Sequence, residues 1–223
     1  DLADFTGPGG TAYLMVFPQV PLMRLVNPTE RRGPDRPSFP SGFLRLAHDV
    51  APVWWLELTR VPIGAVVWRL HSDGAAPFGE AAYRGLARGW EGARGYLAPT
   101  GLFGPRARWR GGEFLAAFTA DGVELLSRAE HPGMAQVAPG AWQAVVPRAE
   151  VDEIFELDLI GRWRDEPVRV LDSNGSSVRL LLPDPEPDRA RAVGATEVSP
   201  GVWQVIGDRS ELTDISALTR TAG

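Results

Sequence analysis

Several kinds of side chain are absent or scarce in this sequence, and each absence excludes a class of chemistry. Cysteine is absent, which excludes disulfide scaffolds, thiolate nucleophiles and cysteine-ligated zinc. Lysine is absent too, because all 23 basic residues are arginine, so Schiff-base and Walker-type lysine chemistry are excluded. The GxSxG motif of serine hydrolases is missing. The three histidines, His48, His71 and His131, lack HxH or HExxH spacing. We therefore expect no catalytic residues, no cofactor and no metal.

Long hydrophobic runs are also missing. The longest, Pro62–Trp68, is far shorter than the ~18 residues of a membrane span. No charged-then-apolar leader opens the chain. We expect a soluble, cytoplasmic protein with no membrane partner. The chain begins with Asp1 rather than Met, which leaves its true N-terminus open.

Charge is unevenly distributed along the chain. Residues 1–105 hold 9 acids and 10 arginines, a net of +1, whereas residues 106–223 hold 19 acids and 13 arginines, a net of −6. An acidic region repels phosphate backbones, so nucleic acid is an unfavoured partner. The excess of acid suits a basic protein partner, or it simply keeps the chain soluble.

The C-terminal half contains an internal repeat. Residues 139–155 (PGAWQAVVPRAEVDEIF) and 200–216 (PGVWQVIGDRSELTDIS) share seven of 17 residues at an offset of 61. Upstream, residues 106–114 (RARWRGGEF) parallel 160–168 (IGRWRDEPV) at an offset of 54. The difference of seven residues lies in the second copy, around Pro183–Gly194. Self-similarity of this kind predicts two copies of one small module.

Each copy shows the same order of predicted elements. An Arg-Trp-Arg strand precedes a second strand, and Asp121-Gly122 or Asn174-Gly175 then predicts a type I′ hairpin turn. A third strand, a variable loop and a Trp-Gln strand follow, and a short turn at 148–150 or 209–211 leads to the last segment. The insert at Glu186–Val193 has helical spacing and ends at Gly194, which predicts a capped helix.

This order resembles that of SH3-like barrels over residues 106–218. Such Trp-bearing tandem modules are similar to actinobacterial immunity-type proteins encoded near secreted toxins. The resemblance implies a mainly β protein with minor α structure, with one small barrel at 106–158 and a second, carrying the helical insert, at 159–223. It also implies an immunity role.

Residues 1–105 are predicted to form an α+β unit. Strands are expected at Tyr13–Phe17 and Met23–Val26, and a strand or short helix at Phe43–Val50. A hairpin is expected between Val53–Thr59 and Ile63–His71. Residues Phe78–Gly92 show helical spacing of Ala82, Leu86 and Trp90, although Gly79, Gly85 and Gly89 weaken that helix.

Two groups of residues are candidates for partner binding. Trp54 and Trp55 are adjacent on a predicted strand, so they cannot both face one core, and an exposed Trp is a favoured binding anchor. The densest acidic run is Glu150, Asp152, Glu153, Glu156 and Asp158, which suits a basic cleft but is also typical of a solvated edge. The acids of the insert, Asp184 and Glu186, are further candidates. Trp109, Trp142, Trp163 and Trp203 occupy equivalent repeat positions and are predicted to fill the cores.

These observations favour a non-catalytic protein-binding protein. In its most concrete form it is an immunity protein that neutralises a cognate bacterial toxin with a basic active-site cleft. One alternative is a tandem-barrel module that reads nucleic acid or peptide through aromatic side chains. Another is an enzyme whose site lies in the N-terminal unit and is built from Arg24, His48, Glu57, Trp68 or His71.

Overall fold

The structure, a computed structural model, describes residues 10–20, 40–45, 50–54, 61–93, 100–183, 185–199 and 202–221, with backbone only for 40–45, 50–54, 199 and 202. The described residues are mainly β. None of their helices is long and apolar enough to cross a membrane.

Strands make up nearly all the regular structure. They are β1 Thr11–Val16, β2 Pro40–Arg45, β3 Val50–Trp54, β4 Val66–His71, β5 Phe78–Tyr83, β6 Trp90–Glu91, β7 Phe103–Trp109, β8 Gly112–Phe118, β9 Gly122–Ser127, β10 Ala135–Ala138, β11 Ala141–Pro147, β12 Glu153–Trp163, β13 Glu166–Asn174, β14 Ser177–Leu182, β15 Thr196–Ser199, β16 Val202–Asp208 and β17 Leu212–Thr221. The described helices are α1 (Pro187–Ala192) and two 3-10 turns at Arg148–Glu150 and Arg209–Glu211.

The strands form open antiparallel sheets. β1, β4, β5 and β6 pair in that order in a four-stranded sheet, and β2 pairs with β3. The remaining strands form one large sheet in the order β10-β11-β9-β8-β7-β12-β13-β14-β16-β15, with β17 paired to β12. All the pairs are antiparallel, and short turns join β7 to β8, β8 to β9 and β12 to β13.

Strand β12 belongs to two sets of strands at once. Its start, Glu153–Asp158, pairs with β7, and its end, Ile160–Trp163, pairs with β13. β17 runs along the opposite edge of β12. We call residues 103–158 the first strand set and residues 159–221 the second strand set. The boundary predicted between residues 158 and 159 falls inside β12.

The two strand sets share one strand order. The first runs β10-β11-β9-β8-β7-β12 and the second runs β15-β16-β14-β13-β12-β17. Their registers also correspond. Arg106 lies opposite Phe155 in the first set, and Ile160 lies opposite Ser216 in the second. These positions differ by 160 − 106 = 54 and 216 − 155 = 61, the two offsets of the sequence repeat.

Each strand set has its own hydrophobic core. Trp109, Phe114 and Leu125 are buried in the first core, and Trp163, Leu180 and Trp203 are buried in the second. The predicted strand positions in 106–221 are confirmed, and so is the insert helix. It ends before Gly194, where φ is +85° and the N–H donates to the carbonyl of Arg191.

The predicted turn chemistry is wrong in detail. A type I′ turn needs positive φ at both central residues, but neither Asp121-Gly122 nor Asn174-Gly175 meets that condition. Two consecutive residues with positive φ occur instead in the preceding hairpin of each strand set. Arg110 and Gly111 have φ of +49° and +77°, and Arg164 and Asp165 have φ of +48° and +68°.

Two predictions for the N-terminal unit are also wrong. The expected helix at Phe78–Gly92 is instead β5, a turn and β6. Gly85 and Gly89 have φ of +103° and +65°, angles that an α-helix does not contain. The expected hairpin partner of Ile63–His71 is wrong as well, because β4 pairs with β1 and β5. Met23–Val26 lies outside the described residues.

Candidate partner-binding site

Among the described residues, one apolar face of the four-stranded sheet contributes to none of the hydrophobic cores. Its rows follow the strand register: Ala12 lies opposite Leu70, Leu14 lies opposite Trp68, and Val16 lies opposite Val66. Gly79 and Ala82 of β5 extend the second and third rows. We call the face formed by Ala12, Leu14, Val16, Val66, Trp68, Leu70, Gly79 and Ala82 the apolar outer face.

Alternation along the strands separates this face from the core of the same sheet. Side chains at successive positions point to opposite faces. Val67, Ala81 and Tyr83 therefore face inward, where they are buried with Trp90. The outer residues Leu14 and Val16 are 48% and 51% exposed. Solvent thus reaches this face, while the other face is packed along only part of the sheet, since Tyr13 and Phe78 on it are 42% and 55% exposed.

Trp68 lies at the centre of the apolar outer face and is half-buried. A Cβ at Gly79 would lie 3.8 Å from the Trp68 ring, so the indole rests over this glycine. At the far edge, Arg84 and Glu91 form an exposed ion pair of 2.7 Å. An aromatic centre with charge confined to the rim is the arrangement found in protein–protein interfaces.

A buried carboxylate joins the N-terminal unit to the first strand set. Glu124 of β9 is fully buried. It accepts hydrogen bonds from the Leu86 and Ala87 N–H groups at 2.8 and 3.4 Å and from Gln143 Nε2 at 2.5 Å. A Cβ at Gly85 would overlap the carboxylate. Burial raises the pKa of Glu124, and the hydrogen bonds and Arg88 oppose that rise only in part.

Apolar packing surrounds this carboxylate. Leu86 is buried against Leu115, Ala117 and Leu126 of the first strand set. The Ile63 N–H also donates to the Phe118 carbonyl at 3.2 Å. The apolar outer face is therefore carried by a unit that is anchored to the large sheet.

The structure divides the predicted acidic run. Glu150 and Asp152 are exposed, and Glu153 pairs with Arg108. Glu156 and Asp158 are only 4% and 1% exposed, so they cannot belong to an accessible acidic surface. The prediction that all five form one surface is wrong, because β12 is an interior strand with neighbours on both edges.

Asp158 instead connects three strands. Its Oδ2 lies 2.5 Å from Arg169 Nη2 of β13 and 3.3 Å from Arg220 Nη2 of β17. The Arg169 guanidinium also lies 5.9 Å from the Phe103 ring centroid. Removal of one partner of such a buried ion pair leaves an uncompensated buried charge, which is strongly destabilising. Asp158 is therefore a structural residue.

The remaining candidates are scattered. Glu186 is exposed at the start of α1. Trp54 lies in β3, but its side chain is outside the described part of the structure, as are Trp55 and Asp184. Of the residues named for an enzyme site, Arg24, His48 and Glu57 also lie outside it. His71 Nδ1 lies 3.5 Å from Thr11 Oγ1. Among the described residues no cluster of metal-binding side chains occurs.

Three of the four repeat tryptophans are buried as predicted. Trp109, Trp163 and Trp203 are 2%, 1% and 4% exposed. Trp142 is only half-buried, so the prediction that it fills a core holds only in part. His131 packs near the first core, with its ring centroid 4.8 Å from that of Phe114 and 5.9 Å from that of Trp109.

Sequence reasoning missed the apolar outer face and the Glu124 anchor. The segment Thr11–Val16 contained one signal for this face. Apolar residues stand at both odd and even positions of the strand, so both of its faces are apolar. Glu124 gave none, because a single acid between apolar strand residues reveals its partners only in three dimensions. Comparisons with protein-family models, with curated proteins and with solved structures found no match.

Proposed function

We propose that this chain is a non-catalytic protein-binding protein, and in its concrete form an immunity protein that binds and neutralises a cognate bacterial toxin. The observation that carries the proposal is the apolar outer face with Trp68 at its centre. Exposed apolar side chains such as Leu14 and Val16 are costly in water, and their burial against a partner stabilises a complex.

The chemistry of the face favours a protein partner. Its residues offer aliphatic and indole surface, and its ionic groups are confined to the Arg84–Glu91 pair at the edge. Interface cores are depleted of charge and enriched in aromatic anchors, whereas nucleic acid is bound through basic groups. Glu150, Asp152 and Glu186 are exposed and are proposed as a secondary acidic contribution toward a basic toxin cleft.

We further propose that the two strand sets are copies of one SH3-like barrel, at 106–158 and 159–223. Support comes from the shared strand order and register. In each set the last strand in sequence pairs with the first, and a 3-10 turn precedes that last strand. The tandem barrels then form the scaffold on which the N-terminal unit presents its outer face.

The experiment is co-purification of this chain with the product of a neighbouring gene, followed by an assay of that product's toxic activity with stoichiometric protein. We expect full inhibition by the wild-type chain. Leu14→Glu and Val16→Glu place charge on the face and should each weaken toxin binding by ~10–100-fold, the range of interface hot spots. Val145→Glu is the matched control, because Val145 is 62% exposed on a different sheet and should bind as wild type.

Two results would contradict the proposal at different levels. Undiminished toxin activity with an equimolar amount of folded wild-type protein would reject the immunity role. Inhibition retained by both glutamate variants would instead place the interface elsewhere, and the exposed acids could then be tested by Glu150→Gln and Asp152→Asn.

A further inference from the structure

The sequence contains only two asparagines, and they differ in the residue that follows them. Asn27 is followed by Pro28, whose nitrogen carries no hydrogen. Asn174 is followed by Gly175, which has no side chain. The backbone nitrogen of the next residue can attack an asparagine side chain when that nitrogen can lose a proton and no side chain shields it. Asn174 meets both conditions, and Asn27 does not meet the first.

The structure places Asn174 at the exposed end of a hairpin. It is the last residue of β13 and pairs with Ser177 of β14, so the turn consists of Gly175 and Ser176. Residues 173–176 are all exposed. Gly175 has φ of +60°, and Ser176 has no positive φ, which is the pattern of a type II′ turn. A Cβ at Gly175 would meet no atom within 4 Å, so the backbone is uncrowded there.

The fold does not hold the nitrogen that would attack. Among the described residues, the Gly175 N–H donates no hydrogen bond. The corresponding turn of the first strand set is different. There the Gly122 N–H donates to Thr119 Oγ1 at 2.9 Å, and a Cβ at Gly122 would lie 2.5 Å from the Val146 carbonyl oxygen. The second strand set thus joins an asparagine to an unheld nitrogen, whereas the first joins an aspartate, Asp121, to a held one.

We propose that Asn174 is a site of spontaneous deamidation in the folded protein. The Gly175 nitrogen forms a bond to Asn174 Cγ, the Cγ–Nδ2 bond breaks, and ammonia leaves with the proton of the Gly175 N–H. Water then opens the succinimide ring that results. Cleavage of the ring bond to Cγ gives aspartate, and cleavage of the ring bond to the backbone carbonyl carbon gives isoaspartate. Either product makes the net charge of −5 more negative by one.

The two products change the hairpin differently. Isoaspartate adds a methylene group to the backbone before Gly175, so the two-residue turn can no longer close in its present geometry. The Ser176 carbonyl, which accepts from the Arg209 N–H at 2.6 Å, is then displaced. Aspartate leaves the backbone unchanged and gives the second strand set the Asp-Gly sequence of the first. The site lies apart from the apolar outer face, so the proposal is independent of the proposed function.

Peptide mapping of the folded protein tests the proposal. Cleavage after arginine releases residues 170–179 as one peptide, which contains Asn174. During incubation at mildly alkaline pH, we expect this peptide to be replaced by an aspartyl and an isoaspartyl form, each with NH exchanged for O. The conversion should be faster at higher pH, because the attacking nitrogen must lose its proton. A synthetic peptide of the same sequence gives the reference rate. Hydrogen exchange at Arg209 should accelerate as isoaspartate accumulates.

Asp121→Asn supplies the matched control in the same chain. It places an asparagine before Gly122, whose N–H is held by Thr119 Oγ1, and cleavage after arginine releases it within residues 111–128. We expect it to convert several-fold more slowly than Asn174, and Thr119→Ala to remove most of that difference. Intact Asn174 in the folded protein after the synthetic peptide has been consumed would overturn the proposal. So would conversion of the two asparagines at one rate while the protein stays folded.

Discussion

The two strand sets have the same strand order but differ in how their tryptophans are covered. Trp203 and Trp142 occupy equivalent positions, at an offset of 61, yet Trp203 is 4% exposed and Trp142 is half-buried. Helix α1 accounts for the difference. Ala190 and Val193 join the same core as Trp203, and the Arg191 guanidinium lies 5.2 Å from its ring centroid. Among the described residues, the core of the second strand set is thus covered by a helix that the first strand set does not have.

The two strand sets also differ in which of them contacts the N-terminal unit. In the first strand set, Glu124 and Gln143 hold the turn at Leu86. The equivalent positions, at offsets of 55 and 61, are Arg179 and Gln204. The strand position that holds a buried acid in the first strand set therefore holds a half-buried arginine in the second. The N-terminal unit thus packs against the first strand set through Leu86, and α1 packs into the core of the second through Ala190 and Val193.

The largest expected effect is the difference in unfolding free energy lost when Trp203 or Trp142 is replaced. Trp203→Ala should lower the free energy of unfolding by about 3–5 kcal/mol, the usual loss for a large aromatic in a sealed core. Trp142→Ala should cost about 1–2 kcal/mol, because solvent already reaches the ring. Urea denaturation of both variants measures the difference. Equal losses of unfolding free energy would show that α1 does not shield Trp203 from solvent.

A smaller effect is expected where Glu124 holds the N-terminal unit against the first strand set. Glu124→Ala leaves the Leu86 N–H and Gln143 Nε2 without their acceptor and should cost about 2–3 kcal/mol, since a buried unsatisfied donor loses its full solvation. Arg179→Ala, the matched control, should cost less than about 1 kcal/mol because Arg179 is half-buried. Hydrogen exchange at Leu86 and Ala87 should accelerate only in the Glu124 variant.

The pH dependence of the Glu124 variant checks the same anchor. The pKa of Glu124 is raised by burial, so the folded protein holds this proton more tightly than the unfolded chain does. Its contribution to stability is therefore greatest below the ordinary glutamate value and falls as pH rises toward the raised folded-state pKa. The destabilisation caused by Glu124→Ala should shrink over that interval. A loss that grows with pH there would contradict the role of desolvation.

The sequence was most informative where local chemistry decides the structure. The strands around Trp109, Trp142, Trp163 and Trp203 and the helix before Gly194 follow from alternation, turn residues and a cap. In contrast, Ala82, Leu86 and Trp90 match helical spacing by coincidence. The glycines between them take positive φ to form a turn, and that turn depends on the distant Glu124.

The acidic run is a clearer example of structure that depends on residues distant in the sequence. Glu150 to Asp158 reads as one charged edge, but the burial of each acid depends on the side chains that other strands place against it. Asp158 is buried because Arg169 and Arg220 arrive from β13 and β17. Neither pairing is encoded near Asp158 in the sequence. Long-range pairing therefore decided which acids are surface residues, and no local pattern could anticipate it.

The smallest effect concerns the first hairpin of each set. Asp165 and Gly111 are equivalent, at an offset of 54, and have φ of +68° and +77°. Left-handed backbone costs an L-residue energy that glycine avoids, so Asp165→Gly should raise the free energy of unfolding by about 0.5–1 kcal/mol. Gly111→Asp should lower it by a similar amount, because a Cβ at Gly111 meets no atom within 4 Å and backbone conformation alone is changed. Thermal unfolding of both variants measures the pair, and changes of the same sign would show that the two hairpins are not equivalent.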